Sequence, residues 1–496
     1  MKLSPPQTGS MQRHRSAFGK YVLDSLSVGM YSHPLMALRE YIQNSADAID
    51  DRPGSSEAAS IHVRIDGRRR SLTICDDGVG IACDKARSTL LNVGCSAKDP
   101  AANRGFRGVG RLGGLGYCDE LTFSTKSQGE DWISVCTWDC KTLRRLIGDS
   151  SRLIDAQTLI EDISRFEQQK HSGSPDDHFF TVEMNAIQDG RNQLLNVPAI
   201  KSYLSQVAPV PFHPDFDLGH IVDDEMATSA ASYRAYRLLV NGEQIYKPYR
   251  DDVTLSRGTS ESVKHVSFFD LTGESGLLAL GWMADLNLHG TISASTCMDA
   301  LRLRHGNIMI GDRETLSGFF RERRFNNYLM GEIHMCGSLL IPNSRRDDFE
   351  ESRQKDEFLT AFIREIGVPL SSRIRHLSNE RSKANNSSNT VALFETASRV
   401  IKHGYISSAH KEHIVRALNA VNGDGSSADS RLAAELLAGV NRSQDFLSVM
   451  NADNHSADHT AGLLVQAIEI AYGDAATRGE ADRMIEAIYG LASERC

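Results

Sequence analysis

Along residues 37–50, and from Leu35 just before them, the apolar positions fall on one stripe. Leu35, Leu38, Ile42, Ala46 and Ile49 recur at the spacing of a helix with 3.6 residues per turn, which predicts an amphipathic helix. On the opposite side Glu40, Asn44 and Asp47 fall within roughly 60° of one another, so two carboxylates and an amide share one polar face. Taken alone, such a face meets water. Alternation of period two comes next: Ile61, Val63 and Ile65, an Asp66-Gly67 turn, then Leu72 and Ile74. This hairpin delivers Asp76-Asp77-Gly78-Val79-Gly80 to the rim of a sheet. Further strands are predicted at 121–125, 132–137 and 179–184. Before them runs a loop, Gly105 to Gly116, with six glycines in twelve residues.

The pattern loosens around 185–196, and the stretch from Tyr203 to Phe212 opens a second domain. Strands are predicted there at 236–240, 263–269 and 277–283, with Asn241-Gly242 as a hairpin turn. Residues 380–390 are polar and read as a linker. Helical apolar spacing then marks 391–403, 408–421, 430–449 and 460–492. The chain therefore divides into 1–190, 191–379, a linker at 380–390, and a helical region at 391–496. Residues 1–16 are polar and belong to no element.

Composition narrows the function classes. A chain of 496 residues with 40% hydrophobic and 24% charged residues is an ordinary globular protein of several domains. Its net charge of −9 argues against bulk nucleic-acid binding, though a local basic groove stays open. Nine cysteines without a C-x-x-C pair point to reduced thiols, with Cys136 and Cys140 buried and not metal-bound. With no apolar run near 18 residues and no charged-then-apolar leader, the expected location is the cytoplasm, away from membranes.

A carboxylate helix, an Asp-x-Gly-x-Gly turn and a glycine-rich loop, in that order, make a nucleotide site. Glu40-x-x-x-Asn44, Asp76-x-Gly78-x-Gly80 and Gly108-x-Gly110 resemble the GHKL ATPase superfamily of gyrase, heat-shock chaperones, histidine kinases and MutL. Met30-Tyr31-Ser32, Leu38-Arg39-Glu40 and Ser45-Ala46-Asp47-Ala48 are most similar to the HtpG and heat-shock protein 90 chaperones, with MORC-type ATPases next. A second set of motifs looks like the middle domain of those chaperones: residues 302–308, Gly331-Glu332-Ile333-His334, and Asn343-Ser344-Arg345-Arg346.

The resemblance implies an α/β (α+β) two-layer sandwich of the GHKL (Bergerat) type, then an α/β middle domain and an all-helical C-terminal region. It implies ATP and Mg²⁺ as cofactors, with Asn44 offering its amide oxygen to the metal and Glu40 acting as general base on water. Asp76 would accept from adenine's exocyclic amine, with Gly78 and Gly80 allowing close approach and Asp47 on the same helix face. Gly105, Gly108, Val109 and Gly110 would wrap the triphosphate as a lid. Lys98 would either contact a phosphate or be a solvated loop lysine. Arg346 would reach the γ-phosphate from the second domain, with Arg345 in reserve, and a salt-bridged surface pair is the bland alternative.

Two departures stand out. Arg111 replaces an aromatic residue of the lid. Phe180 takes the place of a threonine that supports adenine, while Thr181 faces away. The implied function is an ATP-driven molecular clamp acting on a protein client or partner, and the resemblance brings a homodimer into view. A MORC- or MutL-like DNA clamp and a nucleotide sensor with little turnover remain as alternatives.

Overall fold

The computed structural model describes residues 18–26, 33–52, 59–95, 108–230, 233–336, 340–423, 427–445, 468 and 478–493. They fall into two compact units, 1–374 and 375–496. The first unit begins with α1 (Tyr21–Leu26), α2 (Leu35–Asp50), β1 (Ser60–Asp66), β2 (Ser71–Asp76) and α3 (Cys83–Leu91). Next come β3 (Glu120–Lys126), β4 (Trp132–Asp139), α4 (Cys140–Gly148), α5 (Ala156–Ile163), β5 (Ser164–Lys170) and β6 (Phe179–Asn185). Then follow α6 (Val197–Val207), α7 (Gly219–Ser229), β7 (Arg237–Val240) and β8 (Glu243–Gln244).

These eight strands form one sheet in the order β5-β4-β3-β6-β2-β1-β7-β8. Neighbours are antiparallel except β1 and β7, which run parallel and pair Ser60 with Arg237 through Val63 with Val240. The sheet is therefore mixed. One face is apolar in strict alternation: Leu72 and Ile74 on β2, Leu121 and Phe123 on β3, Val182 and Met184 on β6. Against it lies α2, with Leu38, Ile42, Ala46 and Ile49 buried, which is the stripe read from the sequence. Each leucine or isoleucine among them contributes about 1.5–3 kcal/mol by leaving water. Local signals set the ends of several helices. Asp139 caps α4 through Thr142 N, Asp155 caps α5 through Thr158 N, and Asn196 caps α6 through Ala199 N. Cys136 and Cys140 are buried, and burial pushes the Cys136 thiol up to about 11.

The expected boundary at 190/191 does not mark a break in packing. The same core takes in Ile200, Leu204, Val207, Val210, Leu238 and Val240. The Asn241-Gly242 turn forms as expected, with φ of +50° and +85°, and joins β7 to β8.

The rest of the first unit holds β9 (Asp252–Thr254), β10 (Ser260–Ser262), β11 (Val266–Gly273), β12 (Gly276–Ala284), β13 (Ala300–His305), β14 (Ile308–Met309), β15 (Met330–Met335) and α8 (Arg353–Phe362). A second sheet runs β11-β12-β15-β13-β14. On it the motif residues of 302–334 gather into a buried ion cluster. Glu332 accepts from Lys247 Nζ at 2.7 Å, Arg304 Nε at 2.6 Å and Tyr249 OH at 3.1 Å, and pairs with His334 Nε2 at 3.1 Å. Burial pushes His334 down to about 4 and Lys247 down to about 8. Burial alone would raise Glu332, but Arg304 and Lys247 outweigh it and hold the carboxyl well below its usual range.

Residues 380–390 are not an irregular linker. They lie inside α9 (Val368–His403), which is exposed through that stretch. Its serines and threonines satisfy themselves locally, as Ser382 Oγ does on Ser378 O and Thr390 Oγ1 on Asn386 O, so polar composition there is compatible with helix. The second unit is helical, with α10 (Ser408–Asn422), α11 (Ala428–Arg442) and Arg478–Ser493 around Val400, Ile414, Leu418, Ala433, Val440 and Ile485. Among the described residues no helix is long and apolar enough to cross a membrane.

Candidate functional site

Helix α2 is buried on more than its apolar stripe. Twelve of its sixteen residues are buried, so the polar face is turned into the protein and not toward bulk water. Glu40 is 7% exposed and Asp47 1%, while Asn44 between them is half-buried. Burying a carboxylate without compensation is costly. At Glu40 the compensation comes from Arg346, whose Nε lies 3.7 Å from Glu40 Oε1. That distance is an ion pair and not a hydrogen bond, and among the described residues Oε1 accepts no hydrogen bond.

Arg346 itself is 4% exposed and adopts φ +52°, the left-handed region that a bulky side chain rarely enters. Such a conformation costs of order 1–3 kcal/mol and persists where surrounding contacts over-determine it. Here Gly311 N donates to Arg346 O at 2.8 Å and Arg346 N donates to Asn343 O at 3.1 Å. Arg39 reaches the same turn from α2: its Nη2 donates to Arg345 O at 2.7 Å and its Nη1 to Arg346 O at 3.4 Å. Arg345 points elsewhere. Its side chain is mostly exposed and pairs with Asp347 at 3.1 Å. Of the two arginines, the structure brings Arg346 to Glu40 and leaves Arg345 at the surface.

The glycine loop meets the same carboxylate. A Cβ on Gly110 would stand 2.7 Å from Glu40 Oε2, so only glycine fits there without moving it. From Gly110 the chain enters a 3₁₀ turn, Gly110–Gly114, that Tyr41 of α2 ties down: Tyr41 OH donates to Arg111 O at 3.0 Å and accepts from Gly114 N at 2.8 Å. Gly108 and Val109 lead into this turn, with Gly94 N donating to Gly108 O at 3.4 Å. Arg111, where the sequence departs from an aromatic residue, donates to Asn92 O. Lys98 and Gly105 lie outside the described residues, as do Met30, Tyr31 and Ser32.

The Asp-x-Gly-x-Gly turn closes the other end of α2. Asp76, buried at the end of β2, accepts from Gly78 N at 3.0 Å, and Val79 N donates to Ala48 O at 3.0 Å. Both glycines are required by protein packing. A Cβ at Gly78 would come within 2.5 Å of Ala48 Cβ, and one at Gly80, where φ is +66°, within 2.0 Å of Lys126 O. Asp77 has a local task, accepting from Ser60 N at 3.0 Å and Ser60 Oγ at 3.1 Å. Phe180 stands opposite Asp76 in register, whereas Thr181 pairs with Cys75 and its hydroxyl turns to that sulfur, the orientation expected from the alternation.

Several contributors carried no sequence signal as site residues. Lys126 is fully buried, and its ammonium donates to Pro175 O at 2.7 Å and Asp177 O at 2.5 Å, holding the loop beside Gly80. Thr125 Oγ1 accepts from Ile81 N and donates to Phe179 O. His178 Nδ1 donates to Gly78 O at 2.8 Å. Arg39 and Tyr41 sit on α2 between its two faces, and only the 3.6-residue period could have flagged them as partners of whatever flanks Glu40.

Arg346 meets the carboxylate of Glu40, and Arg39, also buried, binds the backbone of the Arg346 turn. Among the described residues no cluster of three or more His, Cys, Asp or Glu could hold a metal ion. A cation here would have Asn44 and the Glu40 oxygen beside Arg346 as protein ligands and would take the rest from elsewhere.

Residues 31–172 match the family model described as histidine kinase-, DNA gyrase B- and HSP90-like ATPase. Two curated relatives bear the name chaperone protein HtpG. The one from Streptomyces coelicolor (strain ATCC BAA-471 / A3(2) / M145) is 28% identical over 135 residues, and the one from Rhodococcus jostii (strain RHA1) is 29% identical over 135 residues. Each match covers 22% of this chain and 21% of the relative.

Proposed function

From the premise that residues 31–172 are a GHKL ATPase domain of the kind found in histidine kinases, DNA gyrase B and HSP90, with similarity to HtpG, we propose that this chain is an ATP-hydrolysing molecular clamp. The single observation that carries the reading is the meeting of Glu40 and Arg346 at 3.7 Å, both buried, from segments far apart in sequence. A carboxylate on a helix, with a cation from a distant turn beside it and a glycine turn against it, suits phosphoryl transfer to water.

In this reading Asp76 accepts from the adenine amine, and Asp47 lines the same pocket. Asn44 supplies an amide oxygen to Mg²⁺, which when bound neutralises phosphate charge. Gly108, Val109 and Gly110 approach the phosphates from above, with Gly105 and Lys98 extending that lid. Glu40 orients a water and takes its proton. Arg346 then exchanges its pairing with Glu40 for the oxygens of the transferring phosphoryl group, where negative charge collects. The loop bearing Arg346 sits beyond the second sheet, so its engagement couples nucleotide state to the rest of the first unit. A protein client, as for a chaperone, is the partner that this coupling serves, in the cytoplasm, and a homodimer is its assembly.

The test is Glu40→Ala. It should keep ATP affinity in calorimetry, because base and phosphate contacts lie elsewhere, and lose phosphate release by about two orders of magnitude or more. Wild-type turnover in that variant would remove Glu40 from its role. Retained ATP with no turnover even in the wild type would leave a nucleotide-binding interaction protein.

A further inference from the structure

We propose that Arg39, the residue before the catalytic base, is a positioning residue that makes turnover depend on the left-handed turn at Arg346. The proposal rests on the reading of Glu40 and Arg346 given above and goes one step further, to what holds them together. Arg39 is 3% exposed. Its two terminal nitrogens donate to backbone, while among the described residues Nε has no hydrogen-bond partner. Nη2 meets Arg345 O at 2.7 Å and Nη1 meets Arg346 O at 3.4 Å, two successive carbonyls of the turn. A planar fork suits two adjacent acceptors in a way that a lysine ammonium does not.

The position of these contacts matters more than their number. Arg346 has φ +52°, and from that turn its side chain reaches Glu40. Gly311 N and Asn343 O hold the turn from its own side. Arg39 holds it from α2, the helix that also carries Glu40. One helix therefore fixes both the carboxylate and the backbone from which its partner cation projects. Gln43, one turn further along α2, is fully buried with neither amide atom hydrogen-bonded among the described residues.

The chemistry follows from geometry. Without Arg39 the turn can relax out of the left-handed region, and Arg346 then swings away from the site. Substrate binding does not need that turn, whereas charge stabilisation during phosphoryl transfer does. Arg39 touches neither substrate nor reacting atoms in this account and acts through Arg346.

The experiment uses the full chain and compares Arg39→Ala, Arg39→Lys, Arg346→Ala and the double variant Arg39→Ala/Arg346→Ala. ATP affinity is read by calorimetry and kcat by phosphate release. Arg39→Ala should bind ATP within about threefold of wild type and lose kcat at least tenfold. Arg39→Lys should recover part of that loss, since an ammonium reaches one carbonyl. In the double variant kcat should equal that of Arg346→Ala alone, because a residue acting through Arg346 has nothing left to act on.

Multiplying losses in the double variant, or an unchanged kcat in Arg39→Ala, overturn the proposal. If Arg39→Ala does not fold, Arg39→Lys with and without Arg346→Ala gives the same comparison. Failure of the underlying reading looks different: Arg346→Ala itself would then turn over ATP at the wild-type rate.

Discussion

Replacing Gly110 by alanine separates the geometry of the site from the stability of the fold. The added methyl would sit 2.7 Å from Glu40 Oε2, and ordinary contact begins at 3.4 Å, so the carboxylate must retreat by about 0.7 Å. Oε2 is the far end of a flexible side chain, and the retreat costs about 0.5–1.5 kcal/mol in rotamer strain. Alanine also restricts the unfolded chain, which offsets this by about 0.4–1 kcal/mol. Net stability should hardly change, and thermal unfolding should show a midpoint within a few degrees of wild type. Catalysis is less forgiving, because a misplacement near 1 Å at a reacting group can cost about a hundredfold.

Gly110→Ala should therefore bind ATP normally by calorimetry and release phosphate roughly tenfold to a hundredfold more slowly. Gly80→Ala is the contrast. There the methyl would meet the Lys126 carbonyl at 2.0 Å with φ at +66°, so backbone must move and stability should fall by about 2 kcal/mol or more. Wild-type turnover by Gly110→Ala would refute the placement of Glu40 as the reacting carboxylate. A collapse of its melting temperature would refute the claim that the side chain yields first.

Asp76→Asn keeps the shape of the pocket but sets a donor against the adenine amine; ATP affinity should fall about tenfold to a hundredfold, the consequence of about 1–3 kcal/mol of unpaired polar groups, as read by calorimetry. Arg346→Ala should lower kcat at least tenfold while Arg345→Ala, which removes only an exposed pair with Asp347, should leave phosphate release within about twofold; the reverse pattern would place the wrong arginine at Glu40. His334 is held neutral down to about 4 in the fold, so the unfolded chain takes up a proton first and stability should fall as pH drops from about 6.5 toward 4. His334→Gln keeps a donor for Glu332 and should flatten that decline in chemical denaturation between pH 7 and 5, and an unchanged slope would remove His334 as its source.

The elements nearest the site were legible because their patterns are local. The period of α2, the alternation in β1 and β2, and the Asn241-Gly242 turn each depend on neighbours within a few residues, and each formed as read. What was not legible depends on distant partners. Nothing in residues 60–63 announces that β1 will pair with β7, and the boundary at 190 was drawn where the pattern loosened, not where packing ends. Lys126 and Arg39 look like surface residues because their partners are carbonyl groups, which carry no side-chain signature. The stretch at 380–390 reads as linker from its serines and asparagines, yet hydrogen bonds to carbonyls one turn back keep it helical. Choosing Arg346 over Arg345 rested on spacing from Asn343; in the structure the turn buries the side chain of Arg346 and exposes that of Arg345.

The parallel pairing of β1 with β7 bears on how this protein can be made. During synthesis the strand at 60–66 waits at the edge of its sheet until residues 237–240 have emerged to cover it. Until then its backbone groups are open to any other extended chain, including a copy of itself on a neighbouring ribosome. The matched family segment ends at residue 172, so a fragment cut there would keep this edge permanently bare and would also lose β6, which joins β3 to β2, and α6 with its part of the core. Such a fragment is an aggregation hazard and not a miniature enzyme, and the shortest piece worth expressing runs past Ile245.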